Sequence, residues 1–230
     1  MKQTATAQGA SSRSGTRSKA AAVDAAGKGS VEKLDLIKLN KAEYVTPATP
    51  VLLTVKPADY LAIEGTGAPS GAVFPSRLSA LYGMAFTIKM SRKAAGLGDY
   101  AVSRLETIYE LTEETACCNP ETWRWTILIR TPDFVTDEDL AAAVALLRKR
   151  EKEGEAALVR RLHLEEGTCV QALHTGPYER EHETYERMRA FARTEGFTVF
   201  GQPHEIYISD PRHVEPENLK TILRLPVRRQ

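Results

Sequence analysis

Apolar residues recur with a period of two in several short stretches of the chain and with a helical period in longer ones. The helical period is clearest over Phe74–Met90, where the apolar residues are Leu78, Leu81, Ala85 and Ile88. In the first half of the chain the alternating pattern predicts strands over Val51–Val55, Tyr60–Glu64, Tyr100–Leu111 and Trp123–Ile129.

The second half of the chain repeats this order of elements. Alternation predicts strands over Thr168–His174, His204–Ser209 and Thr221–Val227. A helix is predicted over Glu181–Glu195, and Gly196 would end it. Between the halves, Thr136 is a suitable N-cap, and the helix that it begins is predicted over residues 137–162, with Gly154 as the place where it could break.

Two strand–helix–strand–strand (βαββ) halves therefore follow one another, at about residues 48–132 and 165–228. Two such units can join their strands into one antiparallel sheet, with both repeat helices packed on one face. The sequence thus predicts an α+β fold whose ligand groove lies near the pseudo-two-fold axis between the halves.

Composition sets limits on the class of protein. The 230 residues are 42% hydrophobic and 27% charged, which suits one globular domain over residues 31–230. The net charge of +1 gives no basic field for nucleic acid, and no apolar run is long enough to predict a membrane span. Residues 1–30 are basic and poor in large apolar side chains, so we expect a disordered tail, with an organelle-targeting segment as the alternative.

Cysteine and histidine usage predicts neither a disulfide framework nor a metal site. Three cysteines, Cys117, Cys118 and Cys169, are too few and too unevenly placed for disulfides, which favours a reducing cytoplasm. His182-Glu183 and His204-Glu205 both lack the second histidine of a zinc-binding H-E-x-x-H motif. No nucleophile elbow or phosphate-binding loop is present either.

Several motifs nevertheless occur in a characteristic order. They are Ile63-Glu-Gly-Thr-Gly-Ala-Pro69, Leu105-Glu106, Trp123-Arg-Trp-Thr-Ile127, His174-Thr-Gly-Pro-Tyr178, His204-Glu-Ile-Tyr-Ile-Ser-Asp-Pro211 and Leu219-Lys-Thr-Ile-Leu-Arg224. On these motifs the chain resembles the GyrI-like small-molecule-binding domain family, over about residues 35–228.

The resemblance implies a fold of two βαββ (SHS2-like) units around a central groove. Family members fused to DNA-binding domains sense cationic or aromatic drugs. Stand-alone members include hydrolases that open the cyclopropane ring of DNA-alkylating natural products, some of them for self-protection. This chain carries no helix-turn-helix segment, so it is similar to the stand-alone kind. Such a protein would need no metal or cofactor.

Two glutamates are the candidate catalytic carboxylates. Glu205 falls within a predicted strand, where glutamate is depleted, and it would face solvent if Ile206 and Ile208 faced a helix. Glu106 is its counterpart in the first half, but strict alternation places it opposite Tyr109. Both Glu106 and Tyr109 could line the groove only if the strand bulged between them. Where relatives continue this motif with glycine and two tryptophans, this chain has Thr-Ile-Tyr-Glu110.

Aromatic residues supply the candidate ligand-binding walls. Trp123 and Trp125 share one face of their predicted strand, as part of the core or as a flat wall for a planar ligand. Tyr178 is either a turn residue or a third catalytic group that holds its hydroxyl over the groove. The remaining ligand-binding candidates are Tyr109, Tyr207 and Glu181, the last of which could instead serve the helix dipole.

Three functions are compatible with these residues. The first is a cofactor-independent hydrolase that adds water to an electrophilic spirocyclopropane, for detoxification or self-resistance. The second is a non-catalytic module that sequesters cationic or aromatic small molecules. The third is a protein-interaction role, for example toward a topoisomerase, for which the sequence shows no large apolar surface stripe. In each case we expect a cytoplasmic monomer without a nucleic-acid or membrane partner.

Overall fold

The computed structural model describes residues 33–110 and 120–230, which form an α+β fold built on one large antiparallel sheet. The strands are β1 (Val51–Val55), β2 (Ala58–Thr66), β3 (Leu105–Glu110), β4 (Arg124–Thr131), β5 (Arg160–Leu164), β6 (Gly167–Thr175), β7 (Phe197–Val199), β8 (His204–Tyr207) and β9 (Lys220–Arg229). The helices are α1 (Leu36–Leu39), α2 (Lys41–Tyr44), α3 (Val73–Ala94), α4 (Asp137–Lys149) and α5 (Glu181–Thr194).

The sheet confirms the predicted pairing of two βαββ units. Its strand order is β1-β6-β9-β8-β3-β4-β2-β5, and β7 pairs with β9. The first unit is β2-α3-β3-β4 and the second is β6-α5-β8-β9. The two units join where β3 pairs with β8, in the register Thr107 to Glu205. The candidate residues of the two halves therefore meet at the centre of the sheet.

The sheet curls until its two ends approach each other. β5 lies at one end of the strand order and β6 is second from the other end, yet only residues 165 and 166 connect them. Two residues span at most about 10 Å between strand ends. The β1–β2 connection, at Lys56-Pro57, makes the same short crossing. The sheet consequently has an enclosed concave face and an outer face.

Helices α3 and α5 pack on the outer face and bury the core of each unit. α3 lies against β2 and β4, whereas α5 lies against β6 and β9. The buried side chains of the first core include Leu81, Ile88 and Ile127. Those of the second include Met188 and Leu223. Strands β3 and β8 are left between the two helices, and they form the floor of a groove.

The short helices α1 and α2 cover part of the concave face. Tyr44 of α2 packs there against Ile206 of β8 and Ile222 of β9. Asp35 caps α1 by accepting from the backbone N–H groups of Ile37 and Lys38. The sequence pattern had predicted neither short helix, and it had also not predicted the three-residue strand β7.

The predicted linker helix over residues 137–162 is shorter than expected. Thr136 and Asp139 form the capping box at its start, as the N-cap prediction required. The helix ends at Lys149, however, and Glu151 and Gly154 adopt the left-handed conformation, with φ of 57° and 46°. The chain then forms β5, which extends the sheet beyond β2.

The predicted tail over residues 1–30 and the adjacent Cys117-Cys118 pair lie outside the described residues. Within the described ranges, Cys169 is a free, buried cysteine. No helix in these ranges combines the length and the apolar character that crossing a membrane requires.

Candidate functional site

Glu205 lies at the centre of the groove floor. Its neighbours across β8 are Thr107 of β3 and Leu223 of β9, and paired residues of antiparallel strands point to the same face. Since Leu223 packs in the core beneath α5, Glu205 also points to the outer face. Its side chain is 7% exposed. Ile206 points to the concave face instead, so both faces of β8 are covered and Glu205 does not face solvent.

Two tyrosines donate hydrogen bonds to the Glu205 carboxylate. The Tyr207 hydroxyl lies 2.9 Å from Oε2, and the Tyr185 hydroxyl lies 3.3 Å from Oε1. Tyr207 reaches Glu205 because residues two positions apart in a strand share a face. Hydrogen bonds donated to a carboxylate favour its charged form, and so oppose the effect of burial on its pKa.

Glu181 supplies the second carboxyl group of the groove. It is the first residue of α5, its side chain is 6% exposed, and its carboxyl lies beside that of Glu205. Burial and the negative charge of Glu205 raise the pKa of Glu181 far above its usual value. Burial also raises the pKa of Glu205, although its bonds to Tyr207, Glu181 and Tyr185 lower it again in part. The raised pKa of Glu181 keeps its carboxyl protonated at neutral pH, and the hydrogen bonds that Glu205 accepts from Tyr207 and Tyr185 favour the carboxylate form of Glu205.

Aromatic side chains form the walls around this pair. The Tyr109 hydroxyl lies 3.2 Å from that of Tyr207, and the Tyr109 ring packs edge-on against Trp123 at 5.8 Å between centroids. Tyr178, which is 36% exposed, packs edge-on against Tyr207 at 5.9 Å between centroids. Burial and the nearby Glu181 raise the pKa of Tyr178 to about 12, so its hydroxyl stays protonated.

Further buried polar groups line the groove next to the two carboxyls. The hydroxyls of Thr107 and Thr221 lie beside Tyr207 and Glu181, and neither makes a well-aligned hydrogen bond within the described residues. One oxygen of Glu181, Oε1, has no such bond either. Unsatisfied polar atoms are unfavourable in a protein interior. These groups are therefore available to exchange hydrogen bonds with a polar ligand in the groove.

The structure corrects the placement of Glu106. The β3–β4 register runs from Leu105 to Glu110 without a bulge, so Glu106 points to the concave face and Tyr109 to the groove. Glu106 accepts a hydrogen bond from Tyr44, at 2.8 Å, and lies 3.0 Å from Nε2 of His204. It therefore does not share the groove with Glu205, whose partner is Glu181.

Glu106 instead belongs to a buried network of charged side chains on the concave face, which we call the interior cluster. Its members are Glu43, Glu106, Arg130, Glu166, His204 and Arg224. The short contacts include Glu166 to Nδ1 of His204 at 2.9 Å, Arg224 to Glu166 at 2.7 Å and Arg130 to Glu43 at 2.6 Å. Three carboxylates face two guanidiniums and one imidazole, so the cluster is neutral when His204 carries a proton.

The charged state of His204 follows from its position between two carboxylates. Burial disfavours the imidazolium, but the charge of Glu166 and the contact with Glu106 outweigh it and raise the pKa of His204 to about 9. Burial likewise disfavours the charged form of Glu166, yet His204 and Arg224 lower the pKa of Glu166 to about 2. The interior cluster is thus a set of ion pairs that holds the two halves of the sheet together.

The two tryptophans occupy different environments in the structure, one at the groove and one in the core. Trp123 borders the groove, whereas Trp125 is 1% exposed and packs between Phe74 of α3 and Gly65 of β2. The Trp125 indole N–H donates to the carbonyl oxygen of Gly67, at 2.9 Å. Trp125 is therefore a core residue of the first unit, and the groove has one tryptophan in its wall.

Tyr185 is a groove residue that the sequence interpretation did not include. It follows Glu181 by four positions, a spacing that places two side chains on the same face of a helix. This spacing could have identified it once Glu181 was a candidate. Thr107 and Thr221 could be recognised only from the strand register, because nothing in their local sequence marks them.

Comparison with known proteins identifies the family and the fold of this chain. The model of the GyrI-like small molecule binding domain matches residues 125–228. Two solved structures, an uncharacterized conserved protein and a hydrolase, both from Listeria innocua, are each 36% identical to this chain. Each match covers 85% of this chain and 100% of the other chain, with a TM-score of 0.78.

A more distant match shows the fold alone. The C-terminal domain of EcmrR is 13% identical, with a TM-score of 0.53 over 79% of this chain and 98% of that domain. No curated protein matches the chain significantly. The family model and the full-length likeness to the Listeria innocua proteins together show that this chain belongs to the GyrI-like small-molecule-binding domain family.

Proposed function

We propose that this protein is a hydrolase that adds water to electrophilic spirocyclopropane compounds of the DNA-alkylating type, and that it thereby detoxifies them. The observation that carries the proposal is the buried Glu181–Glu205 pair, whose two carboxyl groups lie side by side inside an aromatic groove. A proton donor and a proton acceptor side by side are what general acid–base chemistry requires.

Glu205 is suited to the role of general base. It accepts hydrogen bonds from Tyr207 and Tyr185, which favour its carboxylate form, while burial keeps its pKa above the usual value. A base whose pKa is raised toward the working pH accepts a proton more readily during the reaction. In the proposed step, Glu205 takes a proton from water as the water oxygen forms a bond to a ring carbon.

Glu181 is suited to the role of general acid. As the C–O bond forms, the cyclopropane C–C bond breaks and its electrons pass into the conjugated dienone, which becomes a phenolate. The protonated Glu181 then donates its proton to the phenolate oxygen. The proton taken up by Glu205 passes back to the adjacent Glu181 carboxylate, so the sum of these steps is the addition of one water. Tyr178, whose raised pKa keeps its hydroxyl protonated, can donate a hydrogen bond to the developing negative charge.

The walls of the groove suit the shape of such a substrate. Tyr109, Trp123 and Tyr178 present rings on both sides of the carboxyl pair. Planar aromatic ligands gain offset or edge-on contacts with such rings. Relief of ring strain and formation of an aromatic ring would drive the reaction, so the groove has to supply positioning and proton transfer. The hydrolase from Listeria innocua, at 36% identity, supports a hydrolytic activity.

Sequestration of a cationic aromatic compound is the second candidate function. With one proton shared, the carboxyl pair carries one negative charge, and the adjacent rings would each add a cation–π attraction of about 0.5–2 kcal/mol. The groove would then hold a monocation without changing it.

Counting product equivalents distinguishes the two functions. A spirocyclopropane alkylator is incubated with a substoichiometric amount of protein, and the masses of the compound and its products are recorded over time. The hydrolase proposal predicts many equivalents, each heavier by one water. Protection of at most one equivalent, with the compound unchanged, would contradict the hydrolase proposal and favour the binding function.

A further inference from the structure

His174 uses both of its ring nitrogens on the outer face of β6. It pairs with Thr221 of β9, one of the groove residues, and its side chain is 5% exposed. Its Nδ1 lies 3.0 Å from the hydroxyl of Thr184, and its Nε2 lies 3.2 Å from the carbonyl oxygen of Pro177. A buried histidine with two partners is fixed in orientation, and here the partners belong to the turn and helix that carry Glu181.

The partners determine which nitrogen carries the proton. A carbonyl oxygen can only accept, so Nε2 of His174 donates to Pro177. The Thr184 hydroxyl accepts a hydrogen bond from Arg187, at 2.8 Å, and can give its own hydrogen to Nδ1 of His174. In this arrangement the imidazole is neutral, with its proton on Nε2. Burial and the nearby Arg187 and Arg180 lower the pKa of His174, which favours that neutral form.

Glu181 lies between the two points at which His174 is attached. Pro177 precedes Glu181 by four residues and Thr184 follows it by three. The N-cap residue of α5 is Arg180, which makes no side-chain capping bond, so the helix start lacks the usual local support. The His174 ring supplies this support instead, because it is hydrogen-bonded both to the preceding turn, at Pro177, and to the first turn of α5, at Thr184.

The turn itself is shaped around this ring. Gly176 adopts φ of 137°, a conformation that side chains rarely allow, and a Cβ atom there would lie 3.4 Å from Nε2 of His174. The Gly176 N–H donates to Leu219, at 3.0 Å, which anchors the turn to the chain that leads into β9.

We propose that His174 is a positioning residue, which clamps the start of α5 so that the Glu181 carboxyl is held against Glu205. The proposal rests on the groove as the site of the proposed function, but it concerns the geometry of the carboxyl pair, which can be measured without a substrate. Loosening the clamp separates the two carboxyls, and each then titrates more like an isolated buried glutamate.

The test is a carboxyl titration by NMR in protein labelled with 13C at glutamate side chains. The Glu181→Gln variant identifies the Glu181 signal. We expect Thr184→Val, which removes the hydroxyl but retains the shape, to lower the alkaline pKa of the pair by about one unit. Thr184→Ser, which keeps the hydroxyl, should titrate as the wild type does. His174→Leu should cause a larger shift than Thr184→Val.

A merely structural role for His174 would lower the melting temperature and leave this titration in place. An unchanged titration in Thr184→Val, with the fold intact by circular dichroism, would overturn the proposal, even if His174→Leu failed to fold. Absence of turnover in the wild-type protein would instead count against the proposed hydrolase, because the titration reports on the clamp whether or not a substrate is converted.

Discussion

The Tyr207 hydroxyl donates to Oε2 of Glu205 over 2.9 Å, across two positions of the same short strand. Because this bond stabilises the carboxylate, it partly offsets the burial that raises the pKa of Glu205. The strand β8 thus carries both the proposed base and the group that tunes its pKa.

Replacing Tyr207 by phenylalanine removes that bond and leaves the ring in place. Without it the pKa of Glu205 rises further, so the carboxylate form is reached only at a higher pH. We expect the acid limb of the pH profile of kcat/KM to move upward by about one unit. Tyr100→Phe, a change in the core of the first unit, is the matched control. A profile unchanged in Tyr207→Phe would contradict the assigned role of Glu205.

The stability of the protein should depend on pH through Glu181. Its pKa in the folded state is raised above its unfolded value, so its contribution to stability is complete below pH about 4.3 and is lost as pH rises through the folded pKa. We expect the melting temperature of the wild type to fall more steeply toward alkaline pH than that of Glu181→Gln. Each pKa unit corresponds to about 1.4 kcal/mol, hence to several degrees for a chain of this size.

Glu183→Gln provides the control for that comparison. Glu183 lies two residues further along α5, is exposed, and pairs with Arg180 on the surface. Its variant should follow the wild-type curve. Parallel curves for the wild type and Glu181→Gln would mean that the two groove carboxyls do not share a proton.

Glu106→Gln should affect stability rather than chemistry. The substitution leaves the interior cluster with an excess positive charge beside His204, and breaking a buried ion pair in this way typically costs about 3–5 kcal/mol. Denaturant unfolding measures the loss. At a temperature well below the new melting point, kcat should stay within about threefold of the wild type. A large loss of kcat with unchanged stability would indicate that Glu106 takes part in the reaction.

Gly65→Ala should destabilise the first unit through Trp125. A Cβ atom at Gly65 would lie 2.1 Å from the Trp125 ring, so the indole or the strand has to move. Overpacking of this kind costs about 1–3 kcal/mol. Gly83→Ala in α3 is the matched control, because nothing lies within 4 Å of its Cβ position, and it should gain about 0.5–1 kcal/mol. Equal stability of the two variants would contradict the packing described for Trp125.

The repeated βαββ order could be predicted from the sequence because each of its strands and helices has a local hydrophobic period. β5 could not, since its first residues, Arg160 to Leu162, directly follow the apolar pattern of the linker helix and were predicted as the end of that helix. The two short helices α1 and α2 are four residues each, too brief for any periodicity to show.

Those parts of the site that lie within a single strand could be predicted from the sequence. Contacts between residues of different strands and helices could not. Alternation alone placed Glu205 with Tyr207, and it placed Glu106 opposite Tyr109, which the continuous β3 register bears out. The contact between Glu106 and His204 could not be predicted, because the two residues are 98 positions apart in the chain and are brought together by the β3–β8 pairing. Glu181 was a candidate, but its pairing with Glu205 required the packing of α5 on the sheet.

The measurement that tests the central claim most directly compares the wild type with Glu205→Gln in water labelled with 18O. Each protein is given an excess of a spirocyclopropane alkylator, and mass spectrometry follows the labelled, ring-opened product. We predict many turnovers with one 18O atom per product for the wild type, and a rate lower by about 100-fold or more for a folded Glu205→Gln protein. Equal rates for the two proteins, or a product without 18O, would contradict the account.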